Sequence, residues 1–164
     1  MRIRTARPDD LAALDALLAA SYPRQLREDY PPSVMVTALP LISRAQPRLL
    51  ASGTYYVAEE NDRILGAGGW SLAIPEARDA TRPGRANIRH VVTDHRRTRE
   101  GIGRALMEHS FAEARAAGCT YAHAASTRSA VPFYSALGFR TLGPMVVTLA
   151  PGIDFPAVAM RRVL

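Results

Sequence analysis

Between residues 88 and 116 the chain changes its periodicity, and two glycines, Gly101 and Gly103, mark the change. Residues 88–93 have the β-branched character of a strand, whereas Ile102, Ala105, Leu106, Ala112 and Ala116 recur at roughly helical spacing. The run Arg96-Arg97-Thr98-Arg99-Glu100-Gly101-Ile102-Gly103-Arg104-Ala105-Leu106 therefore joins a strand to a helix through an arginine-rich turn. Glycine lets backbone approach a ligand with no Cβ in the way, and the first amides of a helix have no partner inside it. Together with the positive end of the helix dipole, such a turn is an anion site. Two familiar owners of such a turn are excluded. A dinucleotide fingerprint needs a third glycine where Leu106 stands, and no Gly-Lys-Ser/Thr follows to make a nucleotide-triphosphate loop.

A second run follows, Ser126-Thr127-Arg128-Ser129-Ala130-Val131-Pro132-Phe133-Tyr134-Ser135-Ala136-Leu137-Gly138-Phe139. Residues 119–125 before it are short and apolar and follow Ala116-Ala117-Gly118, a helix C-terminus, so they read as a buried strand. A short helix over about residues 129–137 places Phe133 and Leu137 one turn apart on one face, with Tyr134 offset to the neighbouring side. Gly138 ends that helix and Phe139 begins the next strand. Phe133 and Phe139 are expected in the core, and Cys119 is expected to be a small buried hydrophobe.

The two runs together resemble the signatures of the GNAT superfamily of N-acetyltransferases. The Gly101-Ile102-Gly103 turn is similar to that superfamily's acyl-CoA pyrophosphate loop. The Phe133-Tyr134 and Gly138-Phe139 pairs look like its Asn-Ala-x-x-Phe-Tyr-x-x-x-Gly-Phe run after the fifth strand. The distance from Gly101 to Tyr134, room for one long helix, one strand and one short helix, is the spacing the superfamily shows.

The resemblance implies an α/β GNAT fold, a mixed and mostly antiparallel sheet with splayed fourth and fifth strands flanked by helices. It implies acetyl-CoA as cosubstrate, with no metal. On the family pattern the pantetheine faces Val91, Val92 and Thr93, and the pyrophosphate sits on the amides of Arg99, Glu100, Gly101, Ile102, Gly103 and Arg104. Ser129 takes the place of the usual asparagine as a cofactor contact and is expected to cap the helix. Thr98 stands where Gln or Arg is usual, with Arg97 and Arg99 keeping the loop basic.

The reaction implied is direct attack of a primary amine, of a small molecule or peptide, on the thioester. The amide of Val92 or Thr93 stabilises the oxyanion, and Tyr134 is the general acid that protonates the departing thiolate. The superfamily's usual base positions fall on Asn87 and Arg89, neither of which is a base. In a regular strand His90 faces the other way, although a bulge would turn it inward. Glu59 or Glu60 acting through water is the other option. With no base fixed, a second reading stays open, an acyl-CoA-binding sensor or interaction module that has lost turnover.

Composition sets further limits. A chain of 164 residues with 48% hydrophobic content is expected to form a single domain over residues 1–164. Its apolar runs are too short to span a bilayer and its N-terminus lacks an apolar signal region, so a cytoplasmic location is expected. The excess of 21 basic over 15 acidic side chains is carried by arginine alone. These arginines are spread along the chain without interleaved aromatics, which argues against nucleic acid as a partner. Arg96, Arg97, Arg99 and Arg104 make better sense as support for an anionic acyl-CoA. A homodimer is allowed.

Elsewhere, residues 3–6 read as a first strand. Pro8-Asp9-Asp10 opens a helix lined by Leu11, Leu14, Leu17 and Leu18. Pro31-Pro32-Ser33 opens a second helix to about Ser43, which Pro40 should kink or shorten. Residues 54–59 and 64–72 are strands joined by an Asn61-Asp62 turn, and Gly66, Gly68 and Gly69 foretell a bulge or close backbone approach. Residues 73–85 read as a substrate-side or disordered excursion. Residues 145–149 and 157–163 form a final hairpin.

Overall fold

The computed structural model describes residues 1–75 and 80–164. Residues 76–79, within the expected excursion over 73–85, lie outside the described residues. Strand β1 (Arg2–Thr5) is followed by a 3-10 turn (Pro8–Asp10) that runs directly into α1 (Leu11–Leu26), then by α2 (Pro32–Ile42) and a one-turn α3 (Pro47–Leu50). Strands β2 (Tyr55–Glu60), β3 (Arg63–Ser71) and β4 (Arg85–Thr93) precede α4 (Ile102–Ala116) and β5 (Tyr121–Ser126). A second 3-10 turn (Arg128–Ala130) leads into α5 (Val131–Ala136), and the hairpin β6 (Arg140–Ala150) and β7 (Ile153–Val163) follows. The sheet order is β1-β2-β3-β4-β5-β7-β6, and every neighbouring pair is antiparallel except β4 and β5.

The helices divide between the two faces. On one, Leu14, Leu18 and Leu26 of α1 pack on Val57, Ala67 and Val92. On the other, Ile102, Leu106, Met107 and Phe111 of α4 pack over Ala58, Leu65, Ala122 and Met160, and α5 adds Tyr134. Leu106, Met107 and Phe111 are at most 2% exposed, and burial of each stabilises the fold by about 2 kcal/mol.

The glycines of β3 let three layers meet. A Cβ at Gly66 would sit 2.9 Å from Ile102 Cγ2 and 2.9 Å from Val92 O, and one at Gly69 would run into the backbone of Thr54 and Tyr55. The expected bulge is also here. Ala67 pairs with Val92 but Gly69 pairs with Arg89, so β4 spends one residue more than β3 over the same span. The extra residue is taken up at His90, whose φ is +47°. The slip sends Arg89 and His90 to the α1 and α2 face, where they bond Gln46 and Ile42, while Ile88 and Val91 pack on the α4 face.

Several expected boundaries move. Strand β4 starts at Arg85, β6 and β7 are each 11 residues long, and α2 continues through Pro40 to end two residues later. Cys119 is buried, as expected, but lies in the turn before β5 rather than within the strand. Among the described residues no helix is long and apolar enough to cross a membrane.

Candidate functional site

The sheet opens between its two parallel strands. Arg85, Ala86 and Asn87 of β4 are opposite Tyr121, Ala122 and His123 of β5, and beyond Asn87 the two strands no longer pair. Bonds alternate along an antiparallel pair, and Asp94 N–H donates to Leu65 O, so Val92 turns its backbone groups to Ala67 while Thr93 turns its own toward the opening. Side chains of α1 reach the carbonyls at this edge. Tyr22 Oη donates to Val91 O at 2.8 Å and Gln25 Nε2 to Thr93 O at 3.0 Å, while Tyr55 Oη donates to His90 O at 2.6 Å.

At the far end of β4 the arginine-rich turn enters α4. Arg99 and Gly101 both have left-handed φ, +63° and +80°, and Ala105 N–H makes the first helical bond, to Gly101 O. The amides of Ile102, Gly103 and Arg104 therefore have no acceptor inside the helix. The two glycines serve different ends. A Cβ at Gly101 would meet nothing within 4 Å, so its dihedral is what requires glycine there. At Gly103 the requirement is space, since a Cβ would come to 2.8 Å from Phe133 Cε1. The second run of sequence is thus packed against the first.

Helix α5 carries Tyr134 next to this contact. Its ring meets Phe133 and Phe139 edge-on, each at 5.1 Å, and the residue is 6% exposed. Its hydroxyl hydrogen-bonds no other described residue, and burial pushes its pKa well above the ordinary 10. Ser129, expected to cap this segment, does not. Thr127 accepts from Ala130 N–H instead, because the 3-10 turn begins one residue earlier than expected. Ser129 Oγ is left buried with no hydrogen-bond partner among the described residues. An orphaned buried hydroxyl costs about 1–3 kcal/mol, which a polar atom of a guest would recover. Open space at Gly101, free amides at the start of α4 and the Ser129 hydroxyl together fit a phosphate-bearing cosubstrate.

The four turn arginines divide. Arg96 bonds Asp94 through Nε at 3.1 Å and Nη2 at 3.0 Å, and Arg97 bonds Glu100 at 2.7 Å and Glu60 at 3.2 Å. These two hold the turn rather than offering charge to a guest. Arg99 makes no ion pair among the described residues, and Arg104 is exposed, at 3.5 Å from Glu108. Asp94 is the turn's anchor. The Arg96 guanidinium lowers its pKa from 3.8 to about 2. A depressed carboxylate stabilises the fold above its unfolded pKa and loses that contribution as pH falls through its folded one. The stability advantage of the native chain over Asp94→Asn is accordingly expected to shrink between about pH 4 and pH 2, followed by thermal melts across that range.

Asn87 is buried and donates through Nδ2 to the carbonyls of Ser71 and Leu72, at 3.2 and 3.1 Å. Arg89 Nη1 donates to Ser71 Oγ at 3.0 Å and Nη2 to Gln46 Oε1 at 3.1 Å. His90 differs from the regular-strand expectation, because the bulge turns it toward α2. Its Nε2 lies 2.8 Å from Ile42 O, a partner that only accepts, so the proton is on Nε2 and Nδ1 carries the lone pair. Burial lowers its pKa below 6.5. Glu59 and Glu60 are tied elsewhere, Glu59 by Arg4 and Arg2 and Glu60 by Arg97 and the N-terminus, and Arg4 holds the Glu59 carboxyl below its usual range. His95 sits beside Ser21 and Asp94, and His109 lies edge-on to Tyr56.

Comparison with known proteins bears on this arrangement. A family model described as an acetyltransferase (GNAT) domain matches residues 51–141. The chain is similar in structure to a GCN5-related N-acetyltransferase from Rhodopseudomonas palustris, with a TM-score of 0.75 at 16% identity over 99% of this chain and 95% of that one. It is also similar to the PaiA N-acetyltransferase of Thermoplasma acidophilum in complex with coenzyme A, with a TM-score of 0.68 at 14% identity over 99% and 98%. A GNAT family acetyltransferase from Brucella melitensis in complex with acetyl-CoA matches with a TM-score of 0.59 at 23% identity over 85% and 82%. No curated protein matches the chain.

Proposed function

This chain belongs to the GNAT acetyltransferase family, and on that footing we propose that it moves the acetyl group of acetyl-CoA to a primary amine of a small molecule or peptide. The observation that carries this reading is the contact of Gly103 with Phe133, which brings the phosphate-accepting turn and Tyr134 together at the open edge of β4. Solved relatives in complex with coenzyme A and acetyl-CoA support the choice of cosubstrate.

In this reading the pyrophosphate takes the amides of the turn from Arg99 to Arg104, and Arg99 and Arg104 add charge from outside. The pantetheine lies along β4, bonded by the backbone of Val91 and Thr93, while Val92 anchors the strand to β3. The amine must be neutral to attack. His90, neutral near pH 7 with its lone pair on Nδ1, is the base this reading assigns, directly or through water. As the C–N bond forms, the thioester oxygen gains charge, which the amide of Thr93 at the open edge stabilises. The C–S bond then breaks and the thiolate takes the hydroxyl proton of Tyr134.

The direct test is release of CoA thiol from acetyl-CoA across a panel of amines, peptides and polyamines. Amine-dependent release is expected, together with a mass gain of one acetyl group on the acceptor. Tight acetyl-CoA binding with no release by any amine would leave a binding module in place of an enzyme.

A further inference from the structure

Helix α4 borders a cationic cleft on the side it turns toward the end of α5 and the end of β7. Arg104, Glu108, Phe111 and Arg115 follow one another at steps of three and four residues, so they form one stripe along the helix, and Ala136 and Arg162 face them across the cleft. Its volume is about 200 Å³. A site for a whole small molecule occupies roughly 300–1,000 Å³, so this cleft suits a single compact group.

The charges that line it do not balance. Arg162 is half-buried, with its guanidinium over the Phe111 ring at 4.3 Å from the centroid, and Phe111 belongs to the core at 2% exposed. No carboxylate pairs with Arg162 among the described residues, and its guanidinium donors bond none of them. Burial first, and then the neighbouring Arg115, lower its pKa, and Glu108 offsets them only in part. Arg115 is exposed and makes no ion pair among the described residues. Arg104 runs along the helix into the same cleft, with Nη1 at 3.5 Å from Glu108 and Nη2 donating to Ala136 O at 3.3 Å. Three arginines thus face one glutamate, which leaves two positive charges uncompensated. Packing accounts for the stem of Arg162 over Phe111. It does not account for a second guanidinium brought up beside the first.

From this cleft we infer a second anion site, separate from the amides of the turn, that takes a phosphate monoester. Near pH 7 such a group carries a charge of about −1.5 to −2 and three acceptor oxygens, which matches the uncompensated charge of the cleft. Guanidinium groups meet phosphate through paired N–H donors, so Arg115 and Arg162 can share one phosphate between them. Two sources could supply it, the ribose phosphate at the far end of CoA or a separate phosphate-bearing ligand. The inference concerns binding alone and stands whether or not the chain transfers acetyl groups.

The experiment is calorimetric titration at low ionic strength, where exposed charges are least screened. CoA, 3′-dephospho-CoA and inorganic phosphate are each titrated into the native chain, Arg115→Gln and Arg162→Gln, and phosphate also into the CoA-loaded protein. If the phosphate is that of CoA, CoA should bind about tenfold or more tighter than 3′-dephospho-CoA, and both substitutions should close that gap while leaving 3′-dephospho-CoA unaffected. If the ligand is separate, the two forms of CoA should bind alike and inorganic phosphate should still bind the CoA-loaded protein, about tenfold or more weakly in either variant. Arg48→Gln, which removes the same charge from α3, is the control and should alter neither result. Arg115→Gln decides the matter if Arg162→Gln, which uncovers Phe111, fails to fold. The inference is overturned if the two forms of CoA bind alike and no phosphate binds the loaded protein, if a gap survives the substitutions, or if Arg48→Gln reproduces their effect.

Discussion

Tyr134→Phe is expected to lower turnover about a hundredfold or more, the usual scale for removal of a positioned proton donor, while leaving acetyl-CoA affinity nearly unchanged. The variant is a clean probe because of what the hydroxyl does not do. It hydrogen-bonds no other described residue, so its loss strands no donor or acceptor of the protein, and the ring keeps its edge contacts with Phe133 and Phe139. Stability should hold or rise slightly. Burial keeps the phenol protonated across the working pH range, so the alkaline limb of a pH–rate profile should not come from Tyr134. Pre-steady-state thiol release separates the chemical step from binding, and an unchanged rate in the variant would remove Tyr134 as the general acid.

Gly69→Ala should give the largest effect on stability, a loss of about 3 kcal/mol, at the upper end for overpacking in a well-filled interior. The added methyl meets backbone of the neighbouring strand at Thr54 and Tyr55, not the end of a pliable side chain. Trp70 N–H also bonds Thr54 O at 2.9 Å, so the strands cannot part there without loss of that bond. For a chain of this length the melting temperature should fall on the order of 10 °C. The damage should reach the site as well, because Tyr55 supports the bulge through its bond to His90 O. Gly101→Ala, whose methyl enters open space, is the contrast: it strains φ but displaces nothing. Equal melting curves for Gly69→Ala and the native chain would show that β2 and β3 yield at this point.

What the sequence made legible was mostly local. The change of period around Gly101 located a strand, a turn and a helix, and the Phe133-Tyr134 run located the short helix that packs against that turn. The reason for Gly103 was not legible, because it depends on a ring thirty residues downstream. The turn of His90 onto the α1 and α2 face was open for a similar reason. A bulge arises from how β4 registers with a glycine-rich neighbour, and nothing within residues 85–93 fixes that register. The division of the arginines also needed tertiary structure, since Arg97, in the turn after β4, finds Glu60 at the end of β2. Ser129 was the expected cap, but the 3-10 turn starts at Arg128, which puts Thr127 in the capping position instead.

The parallel junction of β4 and β5 has a mechanical consequence. Three residue pairs join a four-stranded half to a three-stranded half, each of which is antiparallel and continuous within itself. The junction is the sheet's line of least stiffness, and slow breathing should concentrate there, with amide exchange faster at the seam than at its flanks. A guest laid along the free edge of β4 and anchored on α5 would brace that line. Occupancy would then be felt as rigidity in both halves at once.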